Sequence, residues 1–300
     1  MSGSAIGQDH NRFDYSAIVD RPPLRWPNGA RIAVWVVPNI EHFHFDKPSA
    51  SLNPGLSALQ PDVLNYAWRD YGARVGVWRV MDIIERHGFK GTVALNSDVC
   101  DQYGRIIEGI RDLGWECMGH GPNNSGLLTF LDEASERATI EATLSTIERA
   151  TGKRPRGWLS PALSQSLHTL DLLSEAGVDY VGDWTNDDQP YRMKVKSGSM
   201  HAIPYSLETN DYPVFLNMYQ SSETFGRIIK DQFDVLYEEG STTGRVMAVC
   251  LHPFLTGHPH RAKYLDEALA HIASRQEVWM ATGSEIIDWY RENGSEKQPA

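Results

Sequence analysis

Side chains that can move protons or hold a metal ion follow short apolar runs at several points of the chain. In the clearest case, the run at residues 246–251 ends directly on His252. In a parallel (β/α) barrel the carboxyl ends of all strands point to one face, and that face carries the chemistry. We therefore expect four such groups to surround one cavity and to act in acid–base or metal-assisted chemistry. These are Glu41, His120, Asp183 and His252.

The elements that would position these groups follow a recurring pattern. An amphipathic helix ends at a glycine, an apolar run comes next, and polar residues follow it. The glycines are Gly88, Gly114, Gly152 and Gly177, each at a position where a helix commonly ends on a residue with positive φ. Helices that alternate with short buried strands predict a parallel sheet. With the runs at 31–39, 245–251 and 277–282 the sheet has seven or eight strands, which a barrel accommodates best.

The predicted α/β barrel is a single domain of residues 26–292, with an N-terminal arm of residues 1–25 and a tail of residues 293–300. A chain of 300 residues, 41% of them hydrophobic, can bury one undivided core. Two segments interrupt the pattern. Residues 48–72 are predicted to form a long loop, of the kind that acts as a lid or a subunit contact. Residues 193–217 are predicted to form an extended hairpin.

Composition excludes several classes of partner. The net charge of −11 and the isoelectric point near 5.4 give no basic surface for nucleic acid. No apolar run is long enough to span a membrane. The N-terminus lacks a basic segment followed by an apolar one, so we predict no secretory signal and a cytoplasmic location. The three cysteines have no Cys-x-x-Cys spacing, as expected of reduced, buried thiols.

Seven ordered segments together resemble the polysaccharide deacetylase superfamily, and most closely its branch of cofactor-independent allantoinases. They are RIAVWVVPNIEH, RVGVWRVMDIIERHG, GHG, RATGKRPRGW, NDDQPY, IPYSLETND and LHPFLTGHPHR. The resemblance covers roughly residues 20–290. It implies a distorted or incomplete (β/α) barrel of about seven strands, hydrolysis of a non-peptide C–N bond, and often a divalent metal held by an aspartate and two histidines.

The resemblance assigns three catalytic roles. Glu41 takes the place of the carboxylate that activates water, and His252 that of the general acid. Asp183 takes the place of the aspartate that orients and charges this histidine, since a carboxylate that fixes the tautomer raises the imidazole pKa. The alternatives are that Glu41 caps a loop or pairs with a cation, and that His252 ends a core strand.

The metal ligands implied by the resemblance are only partly present. His42 stands where the family has its metal-binding aspartate, His120 survives, and the second histidine is Asn124. An amide is a poor ligand for zinc, the metal that best suits imidazoles. His42 and His120 are therefore the predicted ligands, with His44 as an alternative because it shares a face with His42 in an extended segment. The other interpretation is that these histidines contact substrate and that no metal is bound.

The third motif lacks the arginine that would hold the catalytic carboxylate. Burial at the barrel mouth should then raise the pKa of Glu41 toward the working range, unless Arg156 or another base reaches it. Trp158 and Ser160, in the segment GWLSP, are predicted to line a pocket for a small, flat substrate. They could instead be a plain strand end. Asn124 and Asp187 complete the predicted substrate-binding set.

The sequence therefore predicts a hydrolase of a small cytoplasmic amide, lactam or ureide. The alternatives are an N-deacetylase of a soluble N-acetyl sugar or polysaccharide, in carbohydrate metabolism, and a noncatalytic carbohydrate-binding relative. Nine tryptophans, including Trp26 and Trp68 in surface-like loops, predict an apolar patch that a monomer would not expose. We expect a homo-oligomer, and the resemblance implies a tetramer.

Overall fold

A computed structural model of the chain describes residues 10–47 and 58–294. Its strands are β1 Ile32–Ile40, β2 Thr92–Leu95, β3 Glu116–Gly119, β4 Gly157–Trp158, β5 Tyr180–Val181, β6 Tyr191–Met193, β7 Met200–Ala202, β8 Arg245–Leu251 and β9 Val278–Met280. Its α-helices are α1 Val63–Tyr71, α2 Val77–Arg86, α3 Asp98–Gln102, α4 Gly104–Asp112, α5 Glu133–Thr151, α6 Thr169–Glu175, α7 Ser222–Glu239, α8 Pro259–Ala273 and α9 Gly283–Asn293. No helix in these ranges is both long and apolar enough to cross a membrane.

The strands form one curled sheet in the order β6-β7-β5-β4-β3-β2-β1-β8, and β9 pairs with the start of β1. Every pairing of the described strands is parallel except that of β6 with β7. The predicted α/β fold, an incomplete parallel barrel in one domain, is confirmed. All four glycines of the repeat have positive φ, which explains why each helix stops before its strand.

Both faces of the central strands are buried, so their side chains alternate between two apolar layers. In β1, Trp35 and Val37 belong to the layer inside the barrel, whereas Val34 and Val36 pack in the layer against the helices. In β8 the inward positions are 246, 248 and 250. This alternation decides which residues beyond each strand end face the cavity.

Two predictions about the segments between these elements need correction. The predicted loop at 48–72 is helical in its second half, because α1 begins there with the Asp62 side chain accepting from Asn65 N at 3.2 Å; residues 48–57 lie outside the described residues. The predicted hairpin is shorter than expected and consists of β6 and β7. Beyond it the chain is irregular and then forms a helical turn, Pro213–Asn217.

Candidate active site

Strand register places Glu41 and His252 side by side at the barrel mouth. β1 and β8 are parallel neighbours, with Pro38 opposite Leu251. Continuing the alternation of β1 past Val37 turns Glu41 inward, and continuing that of β8 past residue 250 turns His252 inward. The predicted convergence of these two residues therefore follows from pairing and period alone.

Glu41 is held by three polar side chains in a buried site. Its side chain is only 5% exposed, and its Oε1 lies 3.2 Å from His120 Nε2 and 3.6 Å from His252 Nε2. The Asn124 amide donates to the same oxygen at 2.6 Å. The other nitrogen of His120, Nδ1, contacts the carbonyl oxygen of Leu159. Because a carbonyl can only accept, Nδ1 carries a proton and Nε2 is the atom presented to Glu41.

Asp211, and not Asp183, is the carboxylate that orients His252. Asp211 Oδ1 lies 2.7 Å from His252 Nδ1, and Oδ2 accepts from the His252 backbone N at 2.8 Å and from the Thr256 hydroxyl. The Asp211 side chain is fully buried. Asp211 thus fixes the ring and leaves Nε2 facing Glu41.

Asp183 has different partners from those that we predicted. It accepts from Ser160 N at 2.6 Å and from the Ser160 hydroxyl at 2.7 Å, and the Gln165 amide also donates to it. Burial raises the pKa of the Asp183 carboxyl, while these hydrogen bonds and the nearby charge of His120 lower it. Asp183 therefore supports the His120 side of the site.

Glu41 and His252 each stabilise the charged form of the other. Burial alone would raise the pKa of Glu41, but the positive charge of His252, 3.6 Å away, and the contact with His120 at 3.2 Å hold that pKa well below its ordinary value. Burial would lower the pKa of His252, but the charges of Glu41 and Asp211 raise it to about 10. The predicted upward shift of the Glu41 pKa is therefore wrong. Glu41 is a carboxylate and His252 an imidazolium over a wide pH range.

Arg69 of α1 brings a buried positive charge to the same region. Its guanidinium carbon lies 3.6 Å from the centre of the Phe43 ring, and its charge interacts with that of Glu41. Arg156, which we considered for this role, instead pairs with Asp179 and Asp288 at 2.9 and 2.6 Å. The cation that interacts with Glu41 is thus Arg69 of α1 and not Arg156, which precedes β4.

Aromatic rings line the His252 side of the mouth. The rings of Tyr212 and Phe254 lie 5.4 and 5.5 Å from the His252 ring, measured between centroids. Trp68 stands edge-on to Phe254 at 4.9 Å. Phe254 is buried in the apolar layer against the helices, whereas Tyr212 is only partly buried. Tyr212 is therefore the more accessible of the two rings beside His252.

Three predicted substrate-binding residues make structural contacts within the protein. Trp158 is fully buried in the layer between the sheet and the helices, because its position in β4 turns it away from the barrel interior. Ser160 is fully buried and engaged with Asp183. Asp187 pairs with Arg21 of the arm at 2.6 Å. Of the predicted set, Asn124 is the residue that contacts Glu41.

The predicted metal ligands separate into two groups. His120 faces Glu41, whereas His42 and His44 lie together on the opposite side of the segment, with ring centroids 5.5 Å apart. With Asp98 these two histidines form a cluster whose ligand atoms all lie within 4.8 Å of one another. His42 therefore lies beside His44, the residue that we named as the alternative, and not beside His120.

Comparison with known proteins agrees with this geometry. A structure described as a probable polysaccharide deacetylase from Pseudomonas aeruginosa is 30% identical, covers 91% of this chain and 95% of its own, and superimposes with a TM-score of 0.84. The chain belongs to the polysaccharide deacetylase family. The family model "Polysaccharide deacetylase" matches residues 66–181. The chain is accordingly a hydrolase of carbon–nitrogen bonds other than peptide bonds.

Two further relatives cover most of the chain. The structure of PuuE allantoinase is 27% identical, covers 90% of this chain and 94% of its own, and has a TM-score of 0.82. A protein of Schizosaccharomyces pombe, described as a putative polysaccharide deacetylase, is 28% identical over 89% of this chain and 92% of its own length.

Members of this family commonly use a divalent metal, but the residues at the family's ligand positions do not fit one here. Position 124 is an asparagine whose amide nitrogen donates to Glu41. His120 Nε2 is directed at Glu41, and His42 belongs to the cluster on the other side. Glu41 and its partners therefore satisfy one another at the place where the family holds its ion.

Sequence reasoning missed Asp211 and Arg69. Asp211 lies at the end of IPYSLETND, one of the segments that carry the resemblance, so a signal was present although no role was attached to it. Arg69 had no comparable signal, because it lies in the segment that we interpreted as a loop.

Proposed function

We propose that this family member hydrolyses a small amide, lactam or ureide, with Glu41 as general base and His252 as general acid. The observation that supports this most directly is the chain of contacts Glu41, His252, Asp211. It pairs a deprotonated carboxylate with a protonated imidazole inside one buried site. These are the protonation states that the two halves of amide hydrolysis require.

In the proposed reaction Glu41 removes a proton from a water molecule as the water oxygen attacks the carbonyl carbon. The C–N bond then breaks while His252 Nε2 donates its proton to the departing nitrogen. Asp211 stabilises the imidazolium before this transfer and fixes its orientation. Asn124 holds the Glu41 carboxylate, and the charge of Arg69 favours its ionised form.

The preference for a small planar substrate rests on two observations. The ring of the partly buried Tyr212 lies 5.4 Å from that of His252, and an aromatic face suits a flat conjugated group such as a ureide. The chain also resembles PuuE allantoinase over most of its length. The second candidate, deacetylation of an N-acetyl sugar or polysaccharide, is favoured by the descriptions of the other two relatives. A cytoplasmic location stays a prediction.

Turnover on a panel of cyclic ureides, lactams and N-acetylated sugars tests this proposal. We expect hydrolysis of a ureide or lactam, and we expect Glu41→Gln and His252→Ala each to lower kcat by about 10²-fold or more. Residues of the same types outside the site supply matched controls, Glu108→Gln at an exposed position and His271→Ala at a partly exposed one, which should retain activity. Turnover of the N-acetylated sugars alone would favour the second candidate. Near-normal kcat in both site variants would overturn the mechanism.

A further inference from the structure

We infer that His42, His44 and Asp98 form a binding site for a zinc-class divalent cation, separate from the Glu41 site. Each residue offers one ligand atom, and all three atoms lie within 4.8 Å of one another. Two imidazoles and a carboxylate are a ligand set that zinc favours. A tetrahedral ion with bonds of about 2.0–2.2 Å holds neighbouring ligand atoms roughly 3.3–3.6 Å apart. His44 Nε2 and Asp98 Oδ2 are already at 3.3 Å.

The backbone arranges these ligands without using the catalytic residues. Glu41 turns into the barrel, so the next and third-next residues, His42 and His44, turn to the other side. This segment is fixed at three backbone atoms. His42 N donates to Asn96 Oδ1 at 2.9 Å, His42 O accepts from Asn124 N at 3.0 Å, and His44 N donates to Ser125 Oγ at 2.8 Å.

The surroundings of the three side chains also suit an ion. Asn123 donates its amide to Asp98 Oδ2 at 2.8 Å, as the outer partners of metal-binding carboxylates do. His42 Nδ1 is buried and has no hydrogen-bond partner among residues 10–47 and 58–294. A buried imidazole nitrogen without a partner is costly, and a metal bound to this cluster through that atom would remove the cost. Three protein ligands leave a fourth position for water or an anionic group.

This site differs from the arrangement that the family implies, and the difference can be measured. His120 and Asn124 occupy two of the family's ligand positions, yet both are turned to Glu41. A metal in the family's position would depend on His120. A metal in the proposed cluster would depend on His44 and Asp98, and the loss of His120 would leave it bound.

The test is zinc content in protein that carries no histidine tag, measured by elemental analysis after loading with zinc and removal of the excess. We expect about one zinc per chain in the wild type and in His120→Ala, and a loss of at least tenfold in His44→Ala and Asp98→Asn. His271→Ala, a surface histidine that pairs with Asp234 at 2.8 Å, is the matched control and should keep its zinc. Added zinc should raise the Tm of the wild type and leave that of His44→Ala unchanged.

Two outcomes would overturn the inference. One is a wild type with no zinc above the background of the buffer. The other is loss of zinc in His120→Ala with retention in His44→Ala, which would place the ion at the family's position. Melting curves without zinc show whether each variant is folded, and His44 and Asp98 are each about one-third exposed, so both substitutions should be tolerated. Because no substrate is used, the result is independent of the proposed hydrolysis.

Discussion

At the scale of single residues, the site is a row of alternating charges. The Glu41 carboxylate, the His252 imidazolium and the Asp211 carboxylate follow one another at 3.6 and 2.7 Å. Each group would be unstable as an isolated buried ion, because burial disfavours the charged form. Together they stabilise one another in the forms that the proposed hydrolysis needs, so the contacts that stabilise the buried ions also suit the proposed proton transfers.

This arrangement predicts a broad pH profile. The proposed mechanism needs Glu41 deprotonated and His252 protonated. The Glu41 pKa is lowered from 4.5, so the acid limb of kcat/KM should lie below pH 4.5. The His252 pKa is raised to about 10, so the alkaline limb should lie near pH 10. We expect a plateau across neutral pH when kcat/KM is measured against pH.

Replacing Asp211 by Asn should narrow that profile from the alkaline side. The substitution removes a charge that raises the pKa of His252, so the alkaline limb should move down by about 1–3 pH units, with a lower kcat on the plateau. Asp234→Asn is a matched control, because Asp234 also contacts a histidine ring, His271, but on the surface. An alkaline limb that stays in place in a folded Asp211→Asn variant would show that Asp211 does not charge His252.

At the scale of elements, the helices that end at glycine and the apolar runs after them predicted the parallel sheet that the structure shows. Glu41 and His252 could be placed because each continues a long strand whose period decides its direction. Asp211 could not be placed, since the segment that contains it pairs with β8 through a single bridge, Asn210 to Cys250. This segment has no apolar run from which a strand could be predicted. Trp158 was misplaced for a similar reason, because the two residues of β4 show no alternation from which to infer a face.

The π-helical segment Gly72–Gly76, which joins α1 to α2, packs against the backbone that follows His252. A Cβ on Gly76 would lie 2.1 Å from the carbonyl oxygen of Pro253, the residue after His252. Gly76→Ala should therefore push the His252 segment inward and cost about 1–3 kcal/mol of unfolding free energy, with a fall in kcat. Gly104→Ala is the control, because a Cβ there meets nothing within 4 Å. Chemical denaturation and kcat check both, and equal stability of the two variants would contradict this packing argument.

At the scale of the whole molecule, the predicted homo-oligomer needs an apolar surface that does not include Trp26. Trp26 is buried and donates to the Arg245 carbonyl at 2.8 Å, so it leaves no apolar patch. Phe130 and Leu167 are 82% and 84% exposed on neighbouring loops joined by a hydrogen bond from the Thr129 hydroxyl to the Gln165 carbonyl. We expect light scattering at micromolar concentration to give a multiple of 33.7 kDa. The mass of one chain would refute this prediction.

An ion pair between Arg21 and Asp187 joins the arm to the barrel. Removing this ion pair also tests the role of Asp187. The Arg21 guanidinium donates two hydrogen bonds to the Asp187 carboxylate, at 2.8 and 2.6 Å, and both side chains are mostly buried. Two parallel bonds of this kind are stronger than a surface pair, so Asp187→Asn should lower the unfolding free energy by about 1–2 kcal/mol and Tm by about 2–4 °C. Because Asp187 makes its contacts with the arm, kcat and KM should stay within about twofold of wild type. A higher KM at unchanged Tm would instead support the substrate-binding role that the sequence predicted.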